Sequence, residues 1–297
     1  MRRGSSQEGA NFRPLMPQTE PNAEPARLAG VDLAAEAAGT ALAVVRVEAG
    51  AGSHAGVRAG HGSGSATVVL ESLQLGVDDD TIVRETRKVG LIGIDCAFGW
   101  PVDFVEFVAR QADGGALEAG DTGDLAWRRR LAYRETDRVV TQHTGARPLS
   151  VATDRLGMTA LRCAVLLDRL AADGRVVDRS GEHPSAVVEV YPAMALRVWR
   201  LARPGYKATA DARRALIDDL ERAAPWLRLG HHRALMQASG DALDAVLAAL
   251  VAVAHGCGAS IRPAPDQGER ARVEGWIAIP TVGLAELGAV AWSNGIS

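Results

Sequence analysis

Two aspartates close two nearly identical stretches of aliphatic chain. LAGVDLAA at residues 28–35 and LIGIDCAF at 91–98 each run into an acid, Asp32 and Asp95, with a glycine two positions earlier. An ionised carboxylate at the end of a buried strand is costly unless something satisfies its charge. If the two strands are parallel neighbours, about 4.8 Å apart, the acids stand side by side at the carboxyl ends, the edge where open sheets bind ligands. Left alone, one of the pair has a raised pKa, whereas Mg²⁺ or Mn²⁺ lets both stay ionised.

Further acids belong to the same reading. Glu189 interrupts the aliphatic run AVVEVYPA at 186–193, and Asp241 and Asp244 lie three apart near the start of an apolar helix. Carboxylates on separate elements that meet at one point form the ligand set of a two-metal phosphoryl-transfer site, with ions about 3.5–4 Å apart. Each acid also has a structural reading. Asp32 and Asp95 suit tight turns, Glu189 can pair with a basic residue such as Arg197, and an N-cap is an ordinary duty for Asp241. Capping accounts for Asp241 better than for Asp244, so Asp244 is the preferred inward ligand of the two.

Phosphate must be brought to such a site by cations. Residues 127–162 hold eight arginines against Glu135, Asp137 and Asp154, although the whole chain has a net charge of −3. Arg134, Arg147 and Arg155 are candidate substrate contacts, because a planar guanidinium can hold two phosphate oxygens. Lys207, next to Tyr206, is a further candidate. Trp100, Trp199 and Trp276 are possible base-stacking surfaces whose alternative is plain packing, and His143 is a possible proton shuttle. The glycine-rich segment 49–65 has neither a P-loop nor a dinucleotide fingerprint, so a nucleotide cofactor is not expected.

The elements that must position these groups follow from periodicity. Strands are expected at 28–34, 40–48 and 66–75 as a meander, then a helix over 78–90 leading to a strand at 90–96, parallel to the first. Helices are expected near 102–110, 155–172, 193–199, 208–223 and 241–255, a strand at 186–191, and a short strand or extended element at 274–280. The 241–255 helix is apolar on every side and therefore interior. Residues 111–150 read as an irregular insertion capping one end of the sheet, 49–65 as a flexible hairpin loop, and 1–27 as a disordered leader before a single domain, 28–297. With 47% hydrophobic residues the chain can bury a large aliphatic core. No apolar run is long enough for a membrane span, and Cys96, Cys163 and Cys257 lack metal or redox spacing. A cytoplasmic protein with three reduced thiols is the expectation; protein partners are unknown.

Taken together, GVDLA at 30–34, IGIDCAFGWP at 92–101, RETD at 134–137, RPLSVATDRLG at 147–157, EVYPAMALRVW at 189–199, YK at 206–207, DALDAVLAAL at 241–250 and EGWIAIP at 274–280 resemble the ribonuclease H-like superfamily, and within it the family known as domain of unknown function 429. That resemblance implies an α/β fold with a mixed five-stranded sheet, three antiparallel strands joined by two parallel ones, flanked by helices. It also implies a metal-dependent nuclease whose leading aspartate is Asp32, followed by Asp95, Glu189 and either Asp241 or Asp244. The glutamate that a ribonuclease H carries after its third strand has only Glu85 as a counterpart, on what reads as a solvated helix face. The expected function is thus a divalent-metal-dependent phosphodiester hydrolase acting on nucleic acid. The alternatives are a nucleotide or small-phosphoester hydrolase with the same site, and a non-catalytic binding module whose acids are caps and salt bridges.

Overall fold

The computed structural model describes residues 25–48, 66–116, 118, 120–182 and 187–293. The glycine-rich loop and nearly all of the expected leader lie outside the described residues; Arg27, placed in the leader by its sequence, begins the first strand. The strands are β1 (Arg27–Asp32), β2 (Ala41–Glu48), β3 (Thr67–Leu75), β4 (Leu91–Asp95), β5 (Val187–Glu189) and β6 (Leu227–Arg228). They form one mixed sheet in the order β5-β4-β1-β2-β3-β6. β1, β2 and β3 pair antiparallel, while β4 lies parallel to β1 and β5 parallel to β4. The sheet has six strands where five were expected: the two-residue β6 adds parallel to the outer edge of β3.

The helices are α1 (Asp79–Thr86), α2 (Val102–Ala112), α3 (Leu125–Ala132), α4 (Glu135–Thr144), α5 (Gly157–Ala172), α6 (Pro192–Val198), α7 (Ala210–Ala223), α8 (Arg233–Ala238), α9 (Gly240–Gly256), α10 (Gly268–Glu274) and α11 (Leu284–Ser293). Two of them, α3 and α4, fill the segment 111–150 that looked irregular in sequence, because their apolar faces are short and interrupted by arginine. Residues 274–280 close α10 and continue as an extended stretch with isolated bridges at Ile277 and Pro280, tied in further by hydrogen bonds from Ile277 N to Thr136 Oγ1 and from Ala278 N to the Glu189 carbonyl. Among the described residues no helix is long and apolar enough to cross a membrane.

Alternation along β1 and β4 determines which side chain meets which layer. Ala29, Val31, Ile92 and Ile94 enter a core completed by Ile82 of α1 and by Cys163, Leu166, Leu167 and Leu170 of α5. Leu28, Gly30 and Asp32, with Leu91, Gly93 and Asp95, face the opposite layer, where α9 lies. Strands covered on both faces read as nearly continuous apolar runs.

Helix α9 sits on the strands backbone to backbone. A β-carbon on Gly30 would fall 2.1 Å from both Ala245 O and Ala249 N, and one on Gly93 would fall 2.7 Å from Ala248 O. The helix answers these glycines with Ala245, Ala248, Ala249 and Ala252, one stripe at helical spacing. Every residue from Ala242 to Gly256 is buried. Ser239 caps the helix, accepting from Ala242 N at 3.2 Å, and this is the capping duty that the sequence suggested for Asp241. Replacing Gly30 by alanine therefore forces α9 away from the sheet. A loss of about 3 kcal/mol is expected from overpacking against backbone. Gly93→Ala should cost less, and urea unfolding midpoints of the two variants check the order.

Candidate metal centre

The glycine contacts lead directly to the acids. Asp32 and Asp95 are Cα partners in the parallel β1–β4 register, so they stand at the same height, as the sequence implied. From Gly93 to Asp95 the chain advances about 6.6 Å along the strand, and from Ala248 back to Asp244 about 6 Å along α9. These steps match, so a helix seated on Gly93 delivers Asp244 beside Asp95. One carboxylate oxygen from each of Asp32, Asp95 and Asp244 lies within 4.8 Å of the others. Asp241, a turn closer to the helix start, is exposed at the edge of this group.

Burial first, and then the neighbouring carboxylates, push the Asp32 pKa up to about 9 and that of Asp95 up to about 8. Asp244 is also raised by burial, against the pull of Lys207 and Tyr206. Lys207 Nζ lies 2.6 Å from Asp244 Oδ2, and the Tyr206 hydroxyl donates to Asp244 Oδ1 at 3.0 Å. Among the described residues no hydrogen-bond donor reaches Asp32 or Asp95. All donor atoms are carboxylate oxygens, a hard set suited to Mg²⁺, Mn²⁺ or Ca²⁺ and not to a thiophilic ion.

Glu189, expected with these acids, is held elsewhere. Its two oxygens accept from Arg134 Nη1 at 2.9 Å and Nη2 at 2.8 Å, and Oε2 also accepts from Phe98 N at 3.0 Å. Arg134 is itself buried, at 3% exposure, and donates to Asp137 Oδ1 at 3.0 Å and to the Glu274 carbonyl at 3.0 Å. The guanidinium expected to meet phosphate thus ties β5, α4 and the end of α10 together. Gly275, at φ 88°, makes the room: a β-carbon there would lie 2.5 Å from Glu189 Oε2. The adjacent Glu274 carboxylate caps two helices, accepting from Val102 N at 2.9 Å and Glu135 N at 2.7 Å. Sequence reasoning missed Asp137 and Glu274. The acid at the fourth residue of RETD, three after Arg134, was a local signal for Asp137, and nothing local marked Glu274.

A cavity of about 410 Å³ opens over the acids, walled by Asp32, Asp95, Arg155, Tyr191 and Lys207 among others. Cys96 borders it, and its hydrogen bond with Cys163, together with burial, holds its thiol well above the ordinary range. Arg147 stacks over the Tyr133 ring at 5.3 Å and faces a neighbouring groove. Trp199 and Trp276 are buried in the core, and Trp100 packs on Ala97, Val151 and Ala160. His143 lies exposed in the last turn of α4. Glu85 pairs with Arg84 at 3.2 Å on the exposed face of α1.

The fold and site define an α/β protein with three clustered carboxylates able in principle to coordinate a metal ion. The profile of the family described as "Protein of unknown function (DUF429)" matches residues 30–268, and the chain belongs to that family. No curated protein and no solved structure gives a match.

Two predictions follow from these charges. Between 3.8, the ordinary value, and about 9, native Asp32 holds a proton that the unfolded chain has released. The native state then binds more protons than the unfolded one, so this contribution to stability is full at low pH and is lost as pH rises. Asp32→Asn removes the penalty: the Tm of the metal-free variant should exceed that of the parent by a margin that widens from pH 5 to pH 9, with Mn²⁺ raising only the parent's Tm. A margin that narrows with pH would refute the buried-pair electrostatics. Arg134→Met should destabilise the fold by about 3–5 kcal/mol in urea titration, because two buried carboxylates lose their partner.

Proposed function

We propose that this protein is a divalent-metal-dependent phosphodiester hydrolase of the nuclease type, built on a ribonuclease H-like sheet. The observation that carries the reading is the meeting of Asp32, Asp95 and Asp244 from β1, β4 and α9 within 4.8 Å, under an open cavity. Three further features support it. The strand order β5-β4-β1-β2-β3 is the arrangement implied by the superfamily resemblance. Two of the acids receive no hydrogen bond from the described residues, which leaves their lone pairs open to the cavity or to each other. With all three acids ionised, as a bound cation would keep them, three negative charges meet one ammonium, Lys207, and the deficit of two equals the charge of one divalent cation.

Asp32, Asp95 and Asp244 would hold Mg²⁺ or Mn²⁺. A bound cation of this kind supplies a polarised phosphoryl oxygen and a water acidic enough to attack at neutral pH. Lys207 orients Asp244 and offers its remaining N–H donors to the cavity, where a leaving or non-bridging oxygen would sit. Exposed Asp241 adds to the negative field that draws in the cation. Arg155, in the cavity wall, is placed to contact the ester. Arg134 and Glu189 act as positioning residues beneath the site, locking each other so that the cap segment and β5 keep their distance from the acids. The intended polymer is nucleic acid and the expected compartment the cytoplasm.

The test is hydrolysis of bis(4-nitrophenyl) phosphate and of fluorescent oligonucleotides with Mn²⁺ or Mg²⁺. Asp32→Asn and Asp95→Asn should each reduce the rate by on the order of 100-fold, since each removes a ligand charge while keeping side-chain shape. Asp32→Asn turning over at the parental rate would end this assignment.

A further inference from the structure

A second concave surface adjoins the acid-lined cavity. It is a groove of about 640 Å³ walled by Arg129, Arg130, Arg138, Arg147 and Arg270, with Asp103, Glu135 and Asp137 as its acids. The two spaces share a wall. Asp137 lines both, and at the lip Arg147 faces the groove while Pro148 and Leu149 face the cavity.

The acids of the groove are already committed. Glu135 pairs with Arg138 at 2.7 Å, Asp103 with Arg270 at 3.2 Å, and Asp137 with buried Arg134 at 3.0 Å. Arg129, Arg130 and Arg147 are exposed and form no ion pair among the described residues. Exposed Arg155, inside the neighbouring cavity, has no such pair either. Four guanidinium groups without an ion-pair partner among the described residues therefore lead from the groove to the acids, one of them, Arg147, resting over the Tyr133 ring, on a chain whose net charge is −3. An overall acidic protein that gathers such arginines in two adjoining hollows has a local positive field suited to an extended anion.

Resting on the hydrolase reading above, we propose that this groove is a track for the phosphate backbone of a single-stranded nucleic acid whose cleaved linkage lies at Asp32, Asp95 and Asp244. A single strand is favoured because a cavity of about 410 Å³ has room for roughly one nucleotide unit, which an unpaired strand can present by itself. The contacts are to phosphate and therefore independent of base sequence. A mononucleotide or small phosphoester fills the cavity alone and leaves the groove empty.

Binding of fluorescein-labelled oligothymidylate to the full chain, measured by anisotropy in Ca²⁺ over a range of salt, tests the track. The double variant Arg129→Ala/Arg130→Ala should bind about tenfold or more weakly, with the log–log salt slope shallower by roughly 0.7 per lost phosphate contact. Arg129→Lys/Arg130→Lys should recover most of the affinity. Arg128→Ala, a neighbouring exposed arginine outside the groove, should bind like the parent. Thymidine monophosphate should compete poorly. Parental affinity and slope in the double alanine variant, equal loss in Arg128→Ala, or no binding by the parent would each overturn the track. If the parent still hydrolyses bis(4-nitrophenyl) phosphate with Mn²⁺ in those cases, the hydrolase reading stands without it; a parent that hydrolyses no ester but shows the groove-dependent binding removes the reading and keeps the surface.

Discussion

The approach of α9 to β1 and β4 is the constraint on which the rest of the structure depends. Helices ordinarily rest on sheets through a layer of side chains. Here Gly30 and Gly93 remove that layer on the strand side, and alanines at helical spacing remove it on the other. The contact is close enough that one added carbon would strike backbone atoms. Because the helix can shift neither sideways nor outward without losing this fit, its first turns land at a fixed place relative to the carboxyl ends of the two strands. Asp244 is there for that reason. The glycine two residues before each aspartate belongs to the same device: residues two apart share a face, so the position that admits the helix and the position that bears the acid are necessarily on one side of the sheet.

Two acidic groups lie close together in this molecule, and they have opposite electrostatic character. Around Arg134 the charges are closed: Glu189 and Asp137 surround one guanidinium, the geometry is bidentate, and the Glu274 carbonyl takes a further donor. Around Asp244 the charges stay open, with three carboxylates against one lysine and two of them without donors among the described residues. Packing forces the open group together at a cost in stability, since like charges in a poorly solvated place favour protonation. A fold maintains such tension only where the surrounding contacts over-determine it, and the backbone fit of α9 does so. The closed network performs the complementary task of holding the cap still.

The core of this arrangement was legible in the sequence for a simple reason. Alternation with period two, and a helical crossover that implies parallel strands, are local patterns, and together they place Asp32 beside Asp95. The interior helix was equally plain, because no face of it is polar. The choice between Asp241 and Asp244 was harder, since both continue the alanine stripe by one turn; Ser239, by setting where the helix begins, leaves Asp241 in solvent. The role of Glu189 depended on a partner 55 residues away in sequence, and no periodicity reports a long-range ion pair. Strand β6 has two residues, too few to show alternation. Helices α3 and α4 were obscured by the arginines that line the groove, so the feature that hid them is the one that gives the cap its chemistry.

Separating core from cap clarifies how function is divided. The sheet and α9 bring the acids together and would do so whatever covered them. On the proposed reading, the segment 125–149 would govern what reaches them, because it carries both the lip of the cavity and arginines of the neighbouring groove. Its attachment combines the buried Arg134 guanidinium gripping β5, α4 and the end of α10, the Glu274 carboxylate at Glu135 N, and an apolar cluster of Val139 and Val140 with Met194, Ala271, Trp276, Ile277 and Ile279; Gly275 is kept free of a side chain to admit the grip. A cap anchored through these buried contacts can vary its exposed residues without disturbing the acids beneath. On the proposed reading, selectivity for a substrate would rest with α3, α4 and the 147–149 lip, while the capacity to gather three carboxylates for a cation rests with two glycines and the helix they admit.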